Sequence, residues 1–199
     1  MAKVSGPYIM PKEHAEMIGR VADAWAQLEL QIDRGIWTLL GTHQQLAACL
    51  TVQMISVHPR IKALVALLHV LGASPETIKG FGTLYGQTLS GLSDQRNRAV
   101  HDPRMIDKVS RQTHKLEMAA KPKPHLDFIP EPLEELRKTH DDIYAAVTKF
   151  SNMRDAAIAE IDALLPESRP LLHSIIEVRK SPLVTDSETP IPMPPPRPS

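Results

Sequence analysis

The chain has 199 residues, enough for one domain with a sizeable apolar core and some additional tail. Lys and Arg together number 23, as do Asp and Glu, so the formal net charge is zero. This balance argues against a globally basic nucleic-acid-binding protein, although it leaves a local basic patch open. The single cysteine excludes an internal disulfide and suits a reducing cytoplasm. Since no apolar run indicates a signal peptide or a membrane span, we expect a soluble cytoplasmic protein that does not bind membranes.

The first predicted helix spans residues 12–40 and follows a short N-terminal arm of residues 1–11. Its apolar positions return to one helical face at intervals of three, four or seven residues. The interval of seven skips Glu29, so a carboxylate lies in the middle of the stripe. Because a buried carboxylate is costly unless it is paired, Glu29 requires a cationic partner or a place at the rim of the core. The apolar positions are Ile18, Ala22, Trp25, Ile32, Ile36 and Leu39.

The second predicted segment covers residues 43–71, and its first half is ambiguous. The stretch "LAACLTVQMISV" is apolar with several β-branched residues, so both a helix and a strand are open. Cys49 lies in this apolar setting, and we expect its side chain to be buried and unreactive. The second half has apolar side chains on one helical face and is predicted to be a helix. These side chains are Ile61, Leu64, Leu68 and Leu71.

The third predicted helix runs from Pro75 to His101, with Ser74 as its N-cap. Intervals of three and four residues place Arg96 on the core-facing stripe. The helix ends before Pro103, because proline disfavours the α conformation in the residue that precedes it. The stripe comprises Ile78, Phe81, Tyr85, Leu89, Leu92, Arg96 and Ala99. Four glycines weaken this helix, and we expect them to permit close packing against neighbouring helices; they are Gly80, Gly82, Gly86 and Gly91.

Residues 104–130 show no helical stripe and are predicted to form a basic loop or a β-hairpin on either side of "AAKPKP". The last long helix begins near Pro132 and keeps the three-and-four alternation to Leu164. Residues 181–199 are rich in proline and are predicted to form a disordered tail. We therefore predict an all-α domain over residues 12–180. It is an antiparallel bundle of four main helices with the 104–130 insertion before the last one.

The polar cluster in "RNRAVHDPRM" stands at the predicted end of the third helix. Asn97 and His101 are four residues apart and therefore stack on one face, with Arg96 about 100° around the helix. A histidine exchanges protons near neutral pH, and an arginine holds a phosphate through two hydrogen bonds. An asparagine orients such a histidine or binds the ligand. These groups suffice to cleave a phosphodiester that supplies its own nucleophile, as the RNA 2′-hydroxyl does, without a metal ion.

The sequence around this cluster is basic. Residues 96–123 contain eight Lys and Arg against three Asp and Glu, in a chain without net charge. Such a local field attracts nucleic acid, whereas a solvated loop that happens to be basic is the alternative. We predict RNA contacts from five of these cations, namely Arg98, Arg104, Lys108, Arg111 and Lys115.

With Arg96 followed by Asn97 and then by His101, "RNRAVHDPRM" resembles the motif of the HEPN superfamily. In that family an arginine, often followed by asparagine, precedes a histidine by four to six residues. The resemblance implies a helical bundle and a metal-independent endoribonuclease that works as a homodimer, with two motifs facing each other across a cleft. It also assigns the catalytic roles to Arg96, Asn97 and His101. Some members are inactive and serve as RNA-binding or assembly modules, and the 104–130 insertion is not part of the family pattern.

Three classes of function follow. The first is an endoribonuclease, either a growth-arresting toxin with an antitoxin partner or a defence effector. The second is an inactive RNA-binding or assembly module, and the third is a helical dimer in which Arg96 and His101 only hold the helix end together. For the first class we hypothesise that Glu29 pairs with Arg96 or Arg98 and orients it. We predict no metal or other cofactor, because the histidines in question are widely spaced; they are His101, His114, His125 and His140.

Overall fold

A computed structural model describes residues 10–107, 112–119 and 125–164 of the chain. These residues are mostly helical and include one small antiparallel sheet in the order β1-β2-β3. The predicted proline-rich tail and most of the predicted N-terminal arm lie outside the described residues. The elements are α1 Lys12–Leu40, α2 Gln44–Thr51, α3 Val57–Val70, α4 Pro75–Leu84, a π-helical turn Tyr85–Leu89, α5 Ser90–His101, β1 Arg104–Ile106, β2 Thr113–Ala119, β3 His125–Pro130 and α6 Leu133–Leu164.

The ends of the helices follow from local chemistry. The side chain of Ser74 accepts a hydrogen bond from the Thr77 amide (3.3 Å), and Pro75 occupies the first turn of α4, as predicted. Gly41 ends α1 in the left-handed conformation at φ 59°, a backbone geometry that costs glycine little because it lacks Cβ. Of the predicted all-α domain, the predominantly helical character is confirmed for the described residues, and the region predicted as a loop or hairpin contributes three strands.

The two long helices α1 and α6 pack side by side and run in the same direction. His14 near the start of α1 donates through Nε2 to the main-chain oxygen of Glu131 (3.2 Å), just before α6. Further along, Arg154 of α6 hydrogen-bonds Gln31 of α1. The segment from α4 to α5 runs against α6, since the start of α4 at Ser74 meets Glu160. The expected antiparallel order is therefore wrong for α1 and α6.

The core lies between α1, α3, α6 and the α4–α5 segment. Within it, the rings of Phe81 and Phe150 meet edge to face with centroids 5.6 Å apart. Most of the predicted stripe residues are buried, so the helical periodicity identified the inward faces. The largest fully buried apolar side chains are Phe81, Phe150, Leu28, Ile32, Ile36, Leu64, Leu68, Leu84, Leu89, Ile143 and Val21.

The third predicted helix is interrupted by the π-helical turn. Leu84 and Leu89 are both buried and lie five residues apart. This spacing matches the hydrogen bonds of a π turn, which join residues five apart, rather than those of an α-helix, which join residues four apart. Tyr85, which the predicted stripe placed in the core, is half-buried. An uninterrupted α-helix was expected because the apolar residues before, within and after the turn can all be connected by intervals of three and four residues.

The glycines of this segment do not mediate close packing as a group. A Cβ built on Gly80 would lie 3.3 Å from the end of the Met153 side chain, whereas one on Gly82, Gly86 or Gly91 would meet no atom within 4 Å. The expectation is thus wrong for those three. The close approach occurs instead at Gly35 of α1, where a Cβ would lie 3.3 Å from side chains of α3 and α6.

The ambiguous segment after α1 forms the short helix α2. It packs inward through Ala47 and Thr51 and turns its opposite face outward. Cys49 lies on the outward face and is exposed, so the prediction of a buried cysteine is wrong. An apolar stretch of sequence does not show that a two-turn helix buries only one of its faces.

A cluster of charged side chains joins α1 to α3. Arg60 of α3 donates through Nε to Asp33 Oδ1 (2.8 Å), and its Nη1 lies 3.6 Å from Glu29 Oε1. The indole of Trp25 donates to the same Glu29 oxygen (3.1 Å). Burial raises the pKa of the Asp33 carboxyl, and the Arg60 guanidinium opposes that rise. Glu29 therefore has a cationic partner, but it is Arg60, and the hypothesis that it pairs with Arg96 or Arg98 is wrong.

A second carboxylate on α6 holds the start of α4. Glu160 accepts hydrogen bonds from Thr77 Oγ1 (2.6 Å) and from the Ser74 amide (2.6 Å). These hydrogen bonds, that of Thr77 first, hold the pKa of the Glu160 carboxyl below its ordinary value. The negative charge also lies where the dipole of α4 favours it.

Replacing Arg60 by Gln should lower the free energy of unfolding by on the order of 3 kcal/mol at neutral pH, because two largely buried carboxylates lose their cation. Without that cation the folded-state pKa of Asp33 rises further, so the loss should shrink as acid protonates it. Urea denaturation at neutral and acidic pH measures both effects. Arg34→Gln, at an exposed position of α1 next to Asp33, is the control, and an equal loss in both variants would contradict the assigned pairing.

Glu160→Gln should destabilise the protein at neutral pH, because the two hydrogen bonds use different carboxylate oxygens and a glutamine amide has only one oxygen to accept with. A depressed folded-state pKa contributes stability above the unfolded pKa, and this contribution disappears as the pH falls through the folded value. The melting temperatures of wild type and variant should therefore converge in acid. Asp23→Asn, at an exposed position of α1, is the control and should change the melting temperature little. A pH-independent difference for Glu160→Gln would refute the assignment.

Candidate functional site

The three predicted catalytic residues lie on the last turns of α5. Arg96 donates through Nη1 to Asn97 Oδ1 (2.9 Å), so the structure brings these two side chains together. Arg96 is half-buried, and its Nε is enclosed without a hydrogen-bond partner among the described residues. Arg96 thus lies at the edge of the core-facing stripe, between the buried Leu92 and Ala99. Its guanidinium has donors left over for a ligand.

The imidazole of His101 is exposed, as is the Asn97 amide one turn before it. Among the described residues, none hydrogen-bonds to His101, so the expected orientation of the histidine by Asn97 is not present in a single copy of the chain. Asn97 instead receives the hydrogen bond from Arg96. The three side chains share one end of α5 without forming a closed network.

The end of α5 is held by Arg104. Asp102 leaves the helix in an extended conformation with ψ 131°, as expected before Pro103. Arg104 then folds back and donates to the main-chain oxygen of Asp102 (2.9 Å) and, at 3.5 Å, to that of Arg98. A cation that binds the last carbonyls of a helix also complements its dipole. Arg104, which is not part of the motif, thus stabilises the helical turn that carries His101.

Arg104 completes its contacts with a buried carboxylate. Its Nε lies 2.5 Å from Glu131 Oε2 and its Nη2 3.0 Å from Oε1, a two-pronged pairing of guanidinium and carboxylate. Each of the two side chains is 2% exposed. The prediction that Arg104 contacts RNA is therefore wrong, because its guanidinium is enclosed and paired.

Glu131 also contacts residues of β2 and α1. Its amide donates to the main-chain oxygen of Thr113 in β2 (2.8 Å), and its carbonyl accepts from His14 of α1. Lys115 of β2 places its ammonium 3.9 Å from the Glu131 carboxylate and 3.5 Å from that of Glu135. The residue between β3 and α6 therefore joins the sheet to both long helices.

Lys115 is held by these carboxylates, and its side chain is 16% exposed. This does not support the prediction that it contacts RNA, because its charge is already compensated. Lys108 and Arg111, also predicted to contact RNA, lie outside the described residues. Of the five predicted RNA-binding cations, Arg98 is the one that the described structure places on an exposed helical surface.

A groove of about 390 Å³ lies between α5, α6 and β2, beside the candidate site. Arg98 lines it, whereas the three motif residues do not. The charged side chains that line it comprise three cations and three anions, so its walls have no net positive charge. The lining residues are Asp94, Gln95, Arg98, Ala99, Lys115, Glu131, Glu135, Leu136, Lys138 and Thr139.

The structural role of Glu131 could not be identified from the sequence. A signal was present, since a lone glutamate stands between an alternating strand and the proline that opens a helix, where the helix dipole favours an anion. That signal does not identify a partner. The partner, Arg104, is 27 residues away and was counted among the surface cations.

The described residues offer neither a metal site nor a membrane-spanning helix. They contain no group of three or more His, Cys, Asp and Glu side chains placed to hold a metal ion, and no helix among them has the length and apolarity to cross a membrane. No protein-family model, curated protein or solved structure matches the chain.

Glu131→Gln should lower the free energy of unfolding by on the order of 3–5 kcal/mol, because the guanidinium of Arg104 is left in a buried site without a compensating charge. Chemical denaturation measures the loss. The matched control is Glu134→Gln, three residues further on at an exposed position of α6, where a change within about 0.5 kcal/mol is expected. A similar small change for Glu131→Gln would show that the pair does not support the fold.

Proposed function

We propose that the chain is a metal-independent endoribonuclease with a HEPN-type motif, and that Arg96, Asn97 and His101 form its catalytic site. The main observation in support is that, among the described residues, these polar groups make no contact that holds the elements of the fold together. The end of α5 is secured by Arg104, while the Asn97 amide and the His101 imidazole are exposed and Arg96 contacts its neighbour Asn97. Polar side chains that cluster without a structural role are typical of a binding or reaction site.

The proposed reaction is the attack of an RNA 2′-oxygen on the adjacent phosphorus. The new P–O bond forms as the bond to the 5′-oxygen breaks, which yields a cyclic phosphate and a 5′-hydroxyl. His101 takes the proton from the 2′-hydroxyl, and a protonated imidazole returns one to the leaving 5′-oxygen. Arg96 stabilises the negative charge that develops on the phosphoryl oxygens. The hydrogen bond to Asn97 limits the orientations of its guanidinium, which favours this role.

A homodimer supplies what a single copy lacks. In one copy the motif lies on an open helical surface beside the groove rather than within it. Two copies that face each other through this end of α5 enclose the site and contribute two His101 side chains, one as base and one as acid. Enclosure matters because electrostatic stabilisation is stronger where water is excluded.

The alternative is an inactive RNA-binding or assembly module on the same surface. The absence of a hydrogen bond between Asn97 and His101 in one copy favours it, because a histidine that is not held in one orientation is a less effective catalyst. A dimer in which Arg96 and His101 only hold the helix end together has less support, since Arg104 performs that task. For the active enzyme, the proposed setting is the cytoplasm, as a growth-arresting toxin with an antitoxin partner or as a defence effector.

Labelled RNA incubated with the protein in the presence of a chelator tests the proposal. Wild type should cleave it and leave cyclic-phosphate ends, while His101→Ala should lower the rate by about 10²- to 10⁴-fold, the usual contribution of a general acid or base. Arg96→Ala should lower it by at least about 10²-fold, because a charge-stabilising donor is lost. Neither change should lower the melting temperature appreciably.

His69→Ala and Arg34→Ala are the matched controls, since they remove a histidine and an arginine from exposed helical positions elsewhere. Both should cleave like wild type. RNA binding without cleavage, weakened by Arg96→Ala and by salt, would favour the binding module. If wild type neither binds nor cleaves RNA and both motif variants melt at a much lower temperature, the motif has a structural role and the proposal fails.

A further inference from the structure

The outward face of α2 and the turn after it form an exposed apolar surface. Leu46 and Leu50 lie one helical turn apart and are 58% and 56% exposed. In the turn, Val52 is 70% and Ile55 96% exposed, and Cys49 lies between the two leucines on the helix. Adjacent large apolar side chains at this level of exposure mark an interaction surface rather than an ordinary solvated helix. We refer to these five residues as the α2 face.

This surface lies in a stretch without charge. Residues 35–59 contain no Asp, Glu, Lys or Arg, in a chain of which 23% of the residues are charged. Depletion of charged residues distinguishes the centre of protein interfaces from the rest of the surface. A partner that binds through ion pairs would find no counter-charge here, so the partner must present an uncharged, apolar surface of its own.

The polar side chains that neighbour the α2 face in sequence include three self-complementary amides. Gln44 and Gln45 at the start of α2 and Gln53 after it are exposed. A glutamine amide both donates and accepts hydrogen bonds, so identical amides can pair with each other across a two-fold axis. Charged residues in these positions would instead oppose their own copies. These exposed amides therefore suit a second copy of the same surface.

We propose that the α2 face is an interface between two copies of this chain related by a two-fold axis. Leu46 and Leu50 of one copy pack against those of the other, with the turn around Ile55 at the periphery. The driving force is the removal of four leucine side chains and their neighbours from water. The uncharged surroundings mean that no like charges are brought together when the two identical faces meet.

The α2 face is remote from the motif at the end of α5. Trp37 of α1 donates to Thr51 of α2 (3.0 Å), which places α2 at the C-terminal end of α1. The end of α5 lies at the other end, since Arg104 pairs with Glu131 and Glu131 contacts His14. From His14 to Trp37 the helix rises by about 35 Å. The inference is thus independent of the proposed function, because it concerns a different part of the surface from the proposed dimer at α5.

Sedimentation equilibrium of the full chain over a wide range of protein concentrations tests the interface. The double variant Leu46→Lys/Leu50→Lys should halve the molar mass, because four ammonium groups would meet at the two-fold axis. Val70→Lys, at a position of α3 that is 82% exposed, is the control and should keep the wild-type mass. A monomeric wild type, or an assembly that the double variant leaves intact, would overturn the proposal.

Cross-linking of the wild type provides a second measurement that does not depend on any variant folding correctly. Cys49 is the sole cysteine and lies on the α2 face, so a short bis-maleimide can join only Cys49 to Cys49. A covalent dimer should form readily and should not form with the double variant. Absence of the dimer in wild type would overturn the proposal as well.

RNA cleavage separates this interface from the proposed function. The double variant retains the motif, and it should bind or cleave RNA as wild type does if both inferences hold. If the double variant keeps the wild-type molar mass and still cleaves RNA, the α2 interface alone is refuted. A halved mass in a protein that never cleaves RNA would support the interface and refute the proposed activity.

Discussion

The carboxylate of Glu131 joins parts of the chain that are far apart in sequence, and the candidate site depends on that junction. Arg104 binds it with two donors and uses its remaining donors on the last carbonyls of α5. Through the same residue the sheet and the start of α6 are tied to α1. In this way one buried ion pair fastens the end of α5, which carries His101, to the segment that precedes α6. The cost of burying two charges is offset because almost every donor and acceptor is satisfied.

The sequence predicted the helices better than their arrangement. The bounds of α1 and the inward faces of the helices follow from periodic apolar residues, which is a local property. Which helix packs against which is not local, so the parallel course of α1 and α6 and the pairing of Glu29 with Arg60 were not foreseen. The same limit applies to the cations of the insertion. Arg104 and Lys115 contribute to a local charge sum, but whether each faces solvent or a carboxylate depends on contacts with α6.

The described surface divides into two chemically different ends. At one end, the candidate site lies among compensated charges next to an electrically balanced groove. At the other end, around α2, a long stretch of the chain is uncharged and large apolar side chains are exposed. The binding of a polyanion depends on the electrostatic field and on the salt concentration. The association of apolar surfaces depends instead on the apolar area that is buried. The two ends would therefore respond differently to ionic strength.

The π-helical turn at Tyr85–Leu89 sets the angular phase of the candidate site. It accommodates one residue more than the α-helical turn it replaces, and one residue corresponds to about 100° of rotation about the helix axis. With that residue absent and the core contacts of α4 unchanged, Asn97 and His101 would point to a different side of the bundle and Ala99 would leave the core. The direction in which the motif faces is thus determined about two to three helical turns before the motif begins. Its orientation therefore depends on the number of residues in a segment that precedes it in the chain.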